Sequence, residues 1–206
     1  MTASPVPLHL SPLRRGRAAE VLALAFHQDP IACYVFPEEA QRRRVLRWMF
    51  HCHLRYGLRY GEVYTTDSVG GVAIWLSPGQ TTQTLWRLLR TGALPAPLRF
   101  GWRALRRSMA FMDLATTWHR QYAPEAHWYL FYLGVIPTQQ GRGIGSALLQ
   151  PVLARADAHQ LACYLETGVA RNVGFYARHG FHVVAEGALP RGGPRLWAMV
   201  RTPRGA

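Results

Sequence analysis

The spacing of hydrophobic residues predicts helices and strands in an irregular order along the chain. Apolar residues recur at helical intervals over residues 17–26 and again over about 38–58, and Pro30 separates the two helices. The arginine run at residues 42–44 is interpreted as a solvated face of the second helix. A short apolar stretch, PLHLSPL, predicts a first strand, and EVYTT and GGVAIWL predict two strands that DSVG joins as a hairpin.

Residues 82–121 return to a helical pattern, which the proline-bearing segment TGALPAP interrupts. These helices carry many aromatic residues and arginines, a mixture that can bind nucleic acid. An amphipathic helix pair whose aromatic side faces the core or a pocket is the simpler interpretation. We therefore expect a helical insertion before the next strand.

The second half of the chain begins with HWYLFYLGV, which is apolar on both alternating faces and predicts a central strand buried on both sides. A glycine-rich stretch follows, then a helix to about residue 159 and the strand ACYLET. Asn172 is the predicted cap of a short helix, VGFYARH, which Gly180 ends. FHVVAE and RLWAMV predict the last two strands. This order predicts a mixed α/β domain, of the α+β kind, with hairpins at both ends.

Composition limits the classes of protein that the chain can belong to. Its 206 residues suit one domain, residues 1–206, and a hydrophobic content of 49% allows a sizeable core. No apolar run is long enough to span a bilayer, and the N-terminus lacks the pattern of a signal peptide. The cysteines Cys33, Cys52 and Cys163 are odd in number and scattered, which suits a reducing compartment. These features predict a cytoplasmic protein with no membrane partner.

Charge indicates the chemistry of the partners. The formal net charge is +13, and all 24 basic residues are arginine. Codon bias in a GC-rich genome is the simpler explanation for the missing lysines. Arginine nevertheless offers planar forks that suit phosphate and carboxylate. A net charge this positive predicts anionic partners. Nucleic acid, anionic lipid and a polyphosphate cofactor all remain candidate partners.

The stretch GVIPTQQGRGIGSALL places three closely spaced glycines between a strand and a helix. Unpaired N–H groups and the helix dipole at such a junction bind phosphate, glycines let it come close, and Arg142 can add a charge-assisted contact. A P-loop requires a lysine, which the chain lacks. GRGIGS nearly matches a dinucleotide fingerprint, with Glu166 about 20 residues further on. Against that motif, its sixth position is Ser146, and IPTQQ separates the strand from the glycines.

The spacing Gln140-x-x-Gly143-x-Gly145 after a strand resembles the acetyl-CoA loop of the GNAT acetyltransferase superfamily. Downstream, LETGVARNVGFYARHGF resembles the second signature of that superfamily, an asparagine followed by Phe-Tyr and then Gly-Phe. Together with GPRLWAM, these stretches are similar to the subgroup that contains puromycin N-acetyltransferase. The resemblance covers most of residues 126–199 and is weaker before them, where the acceptor pocket is expected.

The resemblance implies a GNAT fold, with a mixed and mostly antiparallel central sheet flanked by helices and with residues 82–121 as an insertion near the acceptor cleft. It implies that acetyl-CoA is the co-substrate and that the N–H groups of residues 140–146 bind its pyrophosphate. The pantetheine arm would pair with a strand that splays from its neighbour around residues 133–135. The implied coenzyme-binding residues are Leu133, Gly134, Val135, Gln140, Gly141, Arg142, Gly143, Ile144, Gly145, Ser146 and Asn172.

Tyr176 and Glu166 are the expected catalytic residues. The resemblance implies that the tyrosine approaches the coenzyme sulfur, and its reference pKa of about 10 is close to that of an alkyl thiol, so it can protonate the leaving thiolate. Glu166 ends its strand and is a candidate base if burial raises its pKa. A structural carboxylate bonded to nearby N–H groups or to Arg171 is an equal alternative. Asp29 and His127 are weaker candidates for the base.

Aromatic and acidic residues are the candidates for the acceptor pocket, although core packing is the simpler role for each aromatic residue taken singly. The candidates are Asp29, Tyr34, Trp75, Tyr129 and Phe131, with Trp102 and Phe111 as further aromatic residues. His51 and His53 lie two apart on a helix and point different ways, so no metal site is expected.

The sequence therefore predicts an N-acetyltransferase that moves acetyl from acetyl-CoA to a primary amine by direct attack. A small molecule is the expected acceptor, with an antibiotic among the options. The alternatives are a protein N-terminal acetyltransferase and a non-catalytic arginine-rich module that binds nucleic acid or an acidic partner. No nucleic acid partner is expected, and the chain is expected to be a monomer or a homodimer.

Overall fold

The computed structural model describes residues 5–93 and 96–205. The strands are β1 (Leu8–His9), β2 (Gly61–Thr65), β3 (Gly71–Leu76), β4 (His127–Val135), β5 (Ala162–Thr167), β6 (His182–Ala188) and β7 (Arg195–Arg201). The α-helices are α1 (Arg15–Ala25), α2 (Pro30–Val35), α3 (Glu39–Tyr60), α4 (Leu85–Leu88), α5 (Ala96–Tyr122), α6 (Ile144–Ala158) and α7 (Ala170–Ala177). Short 3-10 turns lie at Pro12–Arg14 and Pro137–Gln139, and a π-helical turn spans Leu89–Ala93.

Within the described ranges, the strands form one sheet in the order β1-β2-β3-β4-β5-β7-β6. Neighbouring strands are antiparallel except β4 and β5, which are parallel. The predicted mixed, mostly antiparallel sheet is confirmed. The predicted helical segment 82–121 is occupied by α4, the π-helical turn and α5, although residues 94 and 95 lie outside the described part of the chain.

Helices cover both faces of the sheet, so the hydrophobic core has two layers. On one face, α6 buries Leu148 and Val152 against Trp75 of β3. On the other face, α1 and α3 bury residues such as Leu22 and Phe50. The apolar residues on both sides of β3 and β4 are therefore explained by burial between two helical layers.

A β-bulge interrupts the pairing of β3 with β4. Ile74 pairs with Tyr132 and Trp75 pairs with Leu130, which leaves Phe131 as an extra residue on β4. The bulge breaks the alternation of the strand, so Phe131 and Tyr132 lie on the same face with their ring centroids 4.5 Å apart. The bulge therefore places the rings of Phe131 and Tyr132 side by side in the middle of β4.

Two local predictions were wrong. Asn172 is not the cap of α7, because the helix begins at Ala170 and Val169 occupies the N-cap position. Arg42 is not on a solvated face, because it is buried and its guanidinium donates to the backbone carbonyls of His27 at 2.8 Å and Phe36 at 2.7 Å.

The insertion is less buried than its aromatic content suggested. Trp102 on α5 is 73% exposed, so it does not line a pocket in the described part of the structure. Gly101 has a φ of 73° and kinks the helix immediately before this tryptophan. No helix among the described residues has the length and apolar character needed to cross a membrane.

Candidate active site

The parallel strands β4 and β5 separate partway along their length. Their pairing runs only from His127–Ala162 to Tyr129–Tyr164. Beyond these pairs β4 remains bonded to β3 on its other side, and β5 remains bonded to β7. The facing edges of residues 130–135 and 165–167 are therefore open, and they form a V-shaped slot with Leu133, Gly134 and Val135 on one wall. The splay expected from the family resemblance is present.

The glycine-rich loop forms a cradle of backbone N–H groups next to this slot. Gly141 and Gly143 have φ values of 76° and 77°, and Gly143 is the N-cap of α6. In the described structure no carbonyl accepts the N–H groups of residues 141–143, and the next three N–H groups lie in the first turn of α6, where a helix supplies no acceptor. A Cβ at Gly141 or Gly143 would meet no protein atom within 4 Å. The cradle therefore has room for an anion and the polarity to hold one.

Side chains around the cradle fix its shape. The Gln140 side-chain amide donates to the Val135 carbonyl at 3.1 Å, which ties the loop to the end of β4. The Ser146 hydroxyl lies 3.0 Å from Nε2 of His179. The exposed Arg142 has no hydrogen-bond partner among the described residues, so its guanidinium is available to a phosphate. A Cβ on Gly145 would stand 3.2 Å from the Phe175 ring, so α6 and α7 approach closely here.

Glu166 faces the slot from β5, where its carboxylate is shielded from water. Its Oε2 accepts a hydrogen bond of 2.8 Å from the Tyr129 hydroxyl, whereas its Oε1 is buried without a partner. Burial raises the pKa of Glu166 to about 7, although the Tyr129 hydrogen bond opposes the rise. The Tyr164 hydroxyl also approaches the carboxylate but lacks hydrogen-bond geometry. Arg171 is not a partner of this carboxylate, so the predicted structural ion pair is absent.

Tyr132 on β4 and Tyr176 on α7 are two further phenols within reach of the Asp29 charge. Burial raises the pKa of both phenols, and the charge of Asp29 raises both further. The charge of Glu166 also raises the pKa of Tyr132. Neither hydroxyl has a hydrogen-bond partner within the described ranges, and Tyr176 is buried. Tyr132 and Tyr164 escaped the sequence analysis because nothing in HWYLFYLGV or ACYLET distinguishes them from core tyrosines.

Asp29 has a structural role that the sequence analysis missed. Its Oδ1 accepts from the N–H groups of Ile31 at 2.9 Å and Ala32 at 3.2 Å, so it is the N-cap of α2. Burial raises the pKa of Asp29, and these two hydrogen bonds lower it. The signal was available, because Asp followed by Pro30 combines a favoured N-cap with a favoured first helical residue.

The expected acceptor residue Tyr34 lies where α2, α5 and the turn between β6 and β7 meet. The Tyr34 hydroxyl donates to the Pro190 carbonyl at 3.0 Å, and Arg107 of α5 donates to the Tyr34 carbonyl at 2.7 Å. Tyr34 therefore joins three elements. Phe131 lies within 6 Å of the Tyr129 ring, with centroids 5.8 Å apart. Tyr129 and Phe131 lie on the face opposite α6, beside the slot.

Two expected site residues are placed differently. Trp75 is fully buried beneath α6 and does not join the group around Glu166, because its side chain points to the opposite face from Tyr129. Asn172 lies on α7 one turn before Tyr176, and its side chain bonds to no described residue.

His127 belongs to a buried histidine pair. Its Nδ1 lies 2.6 Å from the Glu125 carbonyl and donates to it, and its Nε2 lies 2.7 Å from Nε2 of His119. His119 stacks on Tyr164 with centroids 4.7 Å apart, and burial lowers its pKa to about 4. Both nitrogens of His127 are thus engaged, which leaves none for a substrate proton. Among the residues that the structure describes, no three His, Cys, Asp or Glu side chains are grouped as metal ligands.

Known proteins share this arrangement of elements. The Acetyltransferase (GNAT) family model matches residues 23–181, a span that contains the glycine cradle, Glu166 and Tyr176. An uncharacterized N-acetyltransferase of Schizosaccharomyces pombe is 26% identical over 195 residues, covering 91% of this chain and 79% of the yeast protein.

Solved structures show the same fold. The crystal structure of histone acetyltransferase HPA2 and related acetyltransferase from Corynebacterium glutamicum has a TM-score of 0.65 at 24% identity and covers 98% of each chain. Arylalkylamine N-acetyltransferase 2 from Aedes aegypti has a TM-score of 0.64 at 13% identity, covering 96% of this chain and 98% of the mosquito protein. GNAT enzymes use acetyl-CoA as co-substrate and act on amines. With most of its length matched by the family model, the chain belongs to the acetyltransferase (GNAT) family.

Proposed function

We propose that the protein is an acetyl-CoA-dependent N-acetyltransferase that acetylates a primary amine of a small molecule by direct attack. The observation that carries the proposal is the buried Glu166 carboxylate, with a pKa raised to about 7 and one oxygen free, at a slot that ends in a phosphate cradle. A base whose pKa is close to the working pH is the one best suited to proton abstraction.

The residues of the slot fit acetyl-CoA, which supplies an activated acetyl thioester when it is bound. The N–H groups of residues 141–146 would hold the pyrophosphate, and Arg142 would pair with a phosphate. The open edge at Leu133, Gly134 and Val135 would pair with the amide groups of the pantetheine arm, as an added strand does. Asn172 would contact the coenzyme from α7.

Glu166 would accept the proton that the acceptor ammonium must lose. The unpaired Oε1 would receive it, because Oε2 already accepts from Tyr129. Since Oε1 is buried, the proton would reach it through a relaying water molecule. Tyr129 and Phe131 would hold the amine by their ring faces, which attract cations. The carboxylate of Asp29 would attract the same cation from the α2 side.

Tyr176 would donate a hydrogen bond to the departing thiolate. Because burial raises its pKa, the phenol keeps its proton throughout the neutral range. The higher pKa also makes it a weaker acid than an alkyl thiol. Tyr176 is therefore suited to stabilising the developing negative charge on sulfur by a hydrogen bond while that bond breaks, and it keeps its own proton.

The small-molecule acceptor rests on the resemblance to the puromycin N-acetyltransferase subgroup and on the partly enclosed acceptor side. Tyr34 and Arg107 fasten α2 and the 82–121 insertion to the turn at Pro190, which narrows the approach for a folded protein. We place the enzyme in the cytoplasm as a monomer or homodimer, in keeping with three free thiols.

A panel of amines tests the proposal. Purified protein is mixed with acetyl-CoA and one acceptor, puromycin and other small amines in one set and short peptides with free N-termini in the other, and release of the coenzyme thiol is followed. Release with at least one small amine, and less with Glu166→Gln, is the expected result. Release with peptides alone would assign the protein to N-terminal acetylation, and no release with any acceptor would contradict the proposal.

A further inference from the structure

A shallow cavity, open to solvent over much of its surface, lies away from the slot on the outer side of α1 and α3. Its volume is about 460 Å³, and it shares no lining residue with the candidate active site. Six of its residues follow helical spacing along α3, on the side opposite the buried Leu46, Phe50 and Leu54. The lining residues are Arg15, Arg44, Arg47, Trp48, His51, Cys52, Arg55 and Gly92.

The charge of this cavity is not balanced by the protein. Among the described residues, Glu20 is the one carboxylate that pairs with a lining arginine, Arg47. Four arginines against one carboxylate leave an excess of three positive charges. The Nε of Arg15 is buried without a partner, and Arg44 and Arg55 form no ion pair within the described ranges.

The pKa of His51 reflects the positive charge of the arginines around the cavity. Burial lowers this pKa, and Arg15, Arg47 and Arg55 lower it further by repulsion of the imidazolium charge, while the charge of Glu20 opposes them. The imidazole is therefore neutral near pH 7, and it can accept or donate a hydrogen bond there. An anion bound among the same arginines would oppose their repulsion and raise the pKa of His51.

The walls of the cavity are held by neighbouring elements. Trp48 packs edge-on against Phe100 with centroids 6.1 Å apart, and the Arg99 guanidinium lies 5.2 Å from the centre of its ring. Gly92 has a φ of 98°, and a Cβ there would stand 3.1 Å from Nη1 of Arg55. The missing side chain thus leaves space for Arg55 beside the insertion.

We propose that this cavity binds a small molecule with two or more negative charges carried by phosphate groups. Arginine forks match phosphate oxygens, and several of them converging on one concave site favour a multiply charged ligand. The volume lies within the range of about 300–1,000 Å³ that is usual for small-ligand pockets. A nucleic acid would instead require cations along an extended track, whereas these cations converge on one cavity. Trp48 offers a flat apolar wall to the uncharged part of the ligand.

Inorganic pyrophosphate is the probe for this site. Calorimetric titrations are made first without coenzyme A and then with saturating free coenzyme A, which would occupy the glycine cradle. One variant carries Arg44→Gln and Arg55→Gln, both exposed side chains whose loss leaves the core intact. The matched control carries Arg106→Gln and Arg120→Gln, which are exposed on α5 and remove the same total charge.

We expect pyrophosphate to bind the wild-type protein with one-to-one stoichiometry and to raise the pKa of His51 in an NMR titration. The cavity variant should lose at least about tenfold in affinity, because charge-assisted hydrogen bonds are removed, and the control should stay within about twofold. Absence of pyrophosphate binding to the coenzyme-free protein would overturn the proposal, as would equal losses in both variants. Tight binding of an oligonucleotide without binding of pyrophosphate would assign the arginines to nucleic acid and would overturn it too.

Discussion

At the scale of single residues, the Glu166 carboxylate and the Tyr129 hydroxyl form a hydrogen-bonded pair. The Tyr129 hydroxyl lies 2.8 Å from Oε2 and stabilises the ionised carboxylate, which keeps its pKa lower than burial alone would set it. The environment of the carboxylate therefore sets the pH at which the proposed base becomes active. A base works above its own pKa, so activity should rise with pH through about 7.

Tyr129→Phe should move that rise to higher pH. The variant removes the hydrogen bond that opposes the burial effect, so the pKa of Glu166 should increase by about one unit or more, given the usual strength of hydrogen bonds to charged groups. The pH dependence of kcat/KM for wild type and variant measures the shift. Tyr60→Phe removes a hydroxyl that is not bonded to Glu166 in the described structure, so it is the control and should leave the profile unchanged. An unshifted profile in Tyr129→Phe would show that Glu166 is not the titrating group.

Tyr176→Phe tests the proposed donor to the leaving thiolate. The variant keeps the ring that packs against Phe175 and Phe181, so the protein should fold normally. Single-turnover rates should fall by roughly 10²–10³-fold, the usual cost of removing one hydrogen-bond donor to a charge that develops in the transition state, with little change in acetyl-CoA affinity. Wild-type single-turnover rates in a folded variant would make Tyr176 a packing residue only.

At the scale of elements, the junction of β4, the glycine cradle and α6 carries the proposed coenzyme site. The left-handed φ of Gly143 means that any Cβ there strains the backbone, whether or not a ligand binds. A bulky substitution at Gly143 would therefore strain the backbone and also block the ligand, so its two effects could not be separated. Gly79 offers a matched case, because its φ is also 77° and a Cβ there would likewise meet nothing within 4 Å.

Gly143→Ala and Gly79→Ala should each lower the free energy of unfolding by about 1–2 kcal/mol, the usual cost of a left-handed non-glycine residue. Gly143→Ala alone should weaken acetyl-CoA binding, because its methyl group occupies the space of the phosphate. Chemical denaturation and calorimetric titration of both variants separate the two effects. Equal acetyl-CoA affinities in the two variants would show that the cradle does not bind acetyl-CoA.

Several elements followed from the sequence because their signals are local. The strand before the glycines, the helix after them and the terminal hairpin each have periodicity or turn residues within one short stretch. The glycine spacing and the Phe-Tyr signature then led to the family and to Tyr176, and the position of Glu166 at the end of its strand made it a candidate base. The bulge at Phe131 and the burial of Arg42 could not be predicted this way, because each depends on a partner strand or on carbonyls from other segments. The same holds for the contact of Tyr129 with Glu166, which are 37 residues apart in the chain.

At the scale of the whole molecule, the net charge of +13 should draw anions such as acetyl-CoA toward the protein. Arg142 is exposed beside the cradle, so its contribution combines this long-range attraction with a direct contact. Screening by salt weakens such exposed interactions.

Arg142→Ala should therefore weaken acetyl-CoA binding more at low salt than at high salt, with the acceptor affinity almost unchanged. Arg106→Ala, an exposed arginine on α5, removes the same charge away from the cradle and should have a much smaller effect. Dissociation constants measured at two ionic strengths check the prediction. A loss confined to acceptor binding would move Arg142 to the other half of the site.

The most direct test compares single-turnover acetyl transfer by wild type and Glu166→Gln across pH, with saturating acetyl-CoA and an amine that the panel identifies. The glutamine keeps the shape of the side chain but cannot accept the proton. We expect the wild-type rate to rise through an inflection near 7, set by the raised pKa of Glu166, and the variant to be slower with that inflection absent. An equal rate and the same inflection in Glu166→Gln would contradict the role of Glu166 as the base of this acetyltransferase.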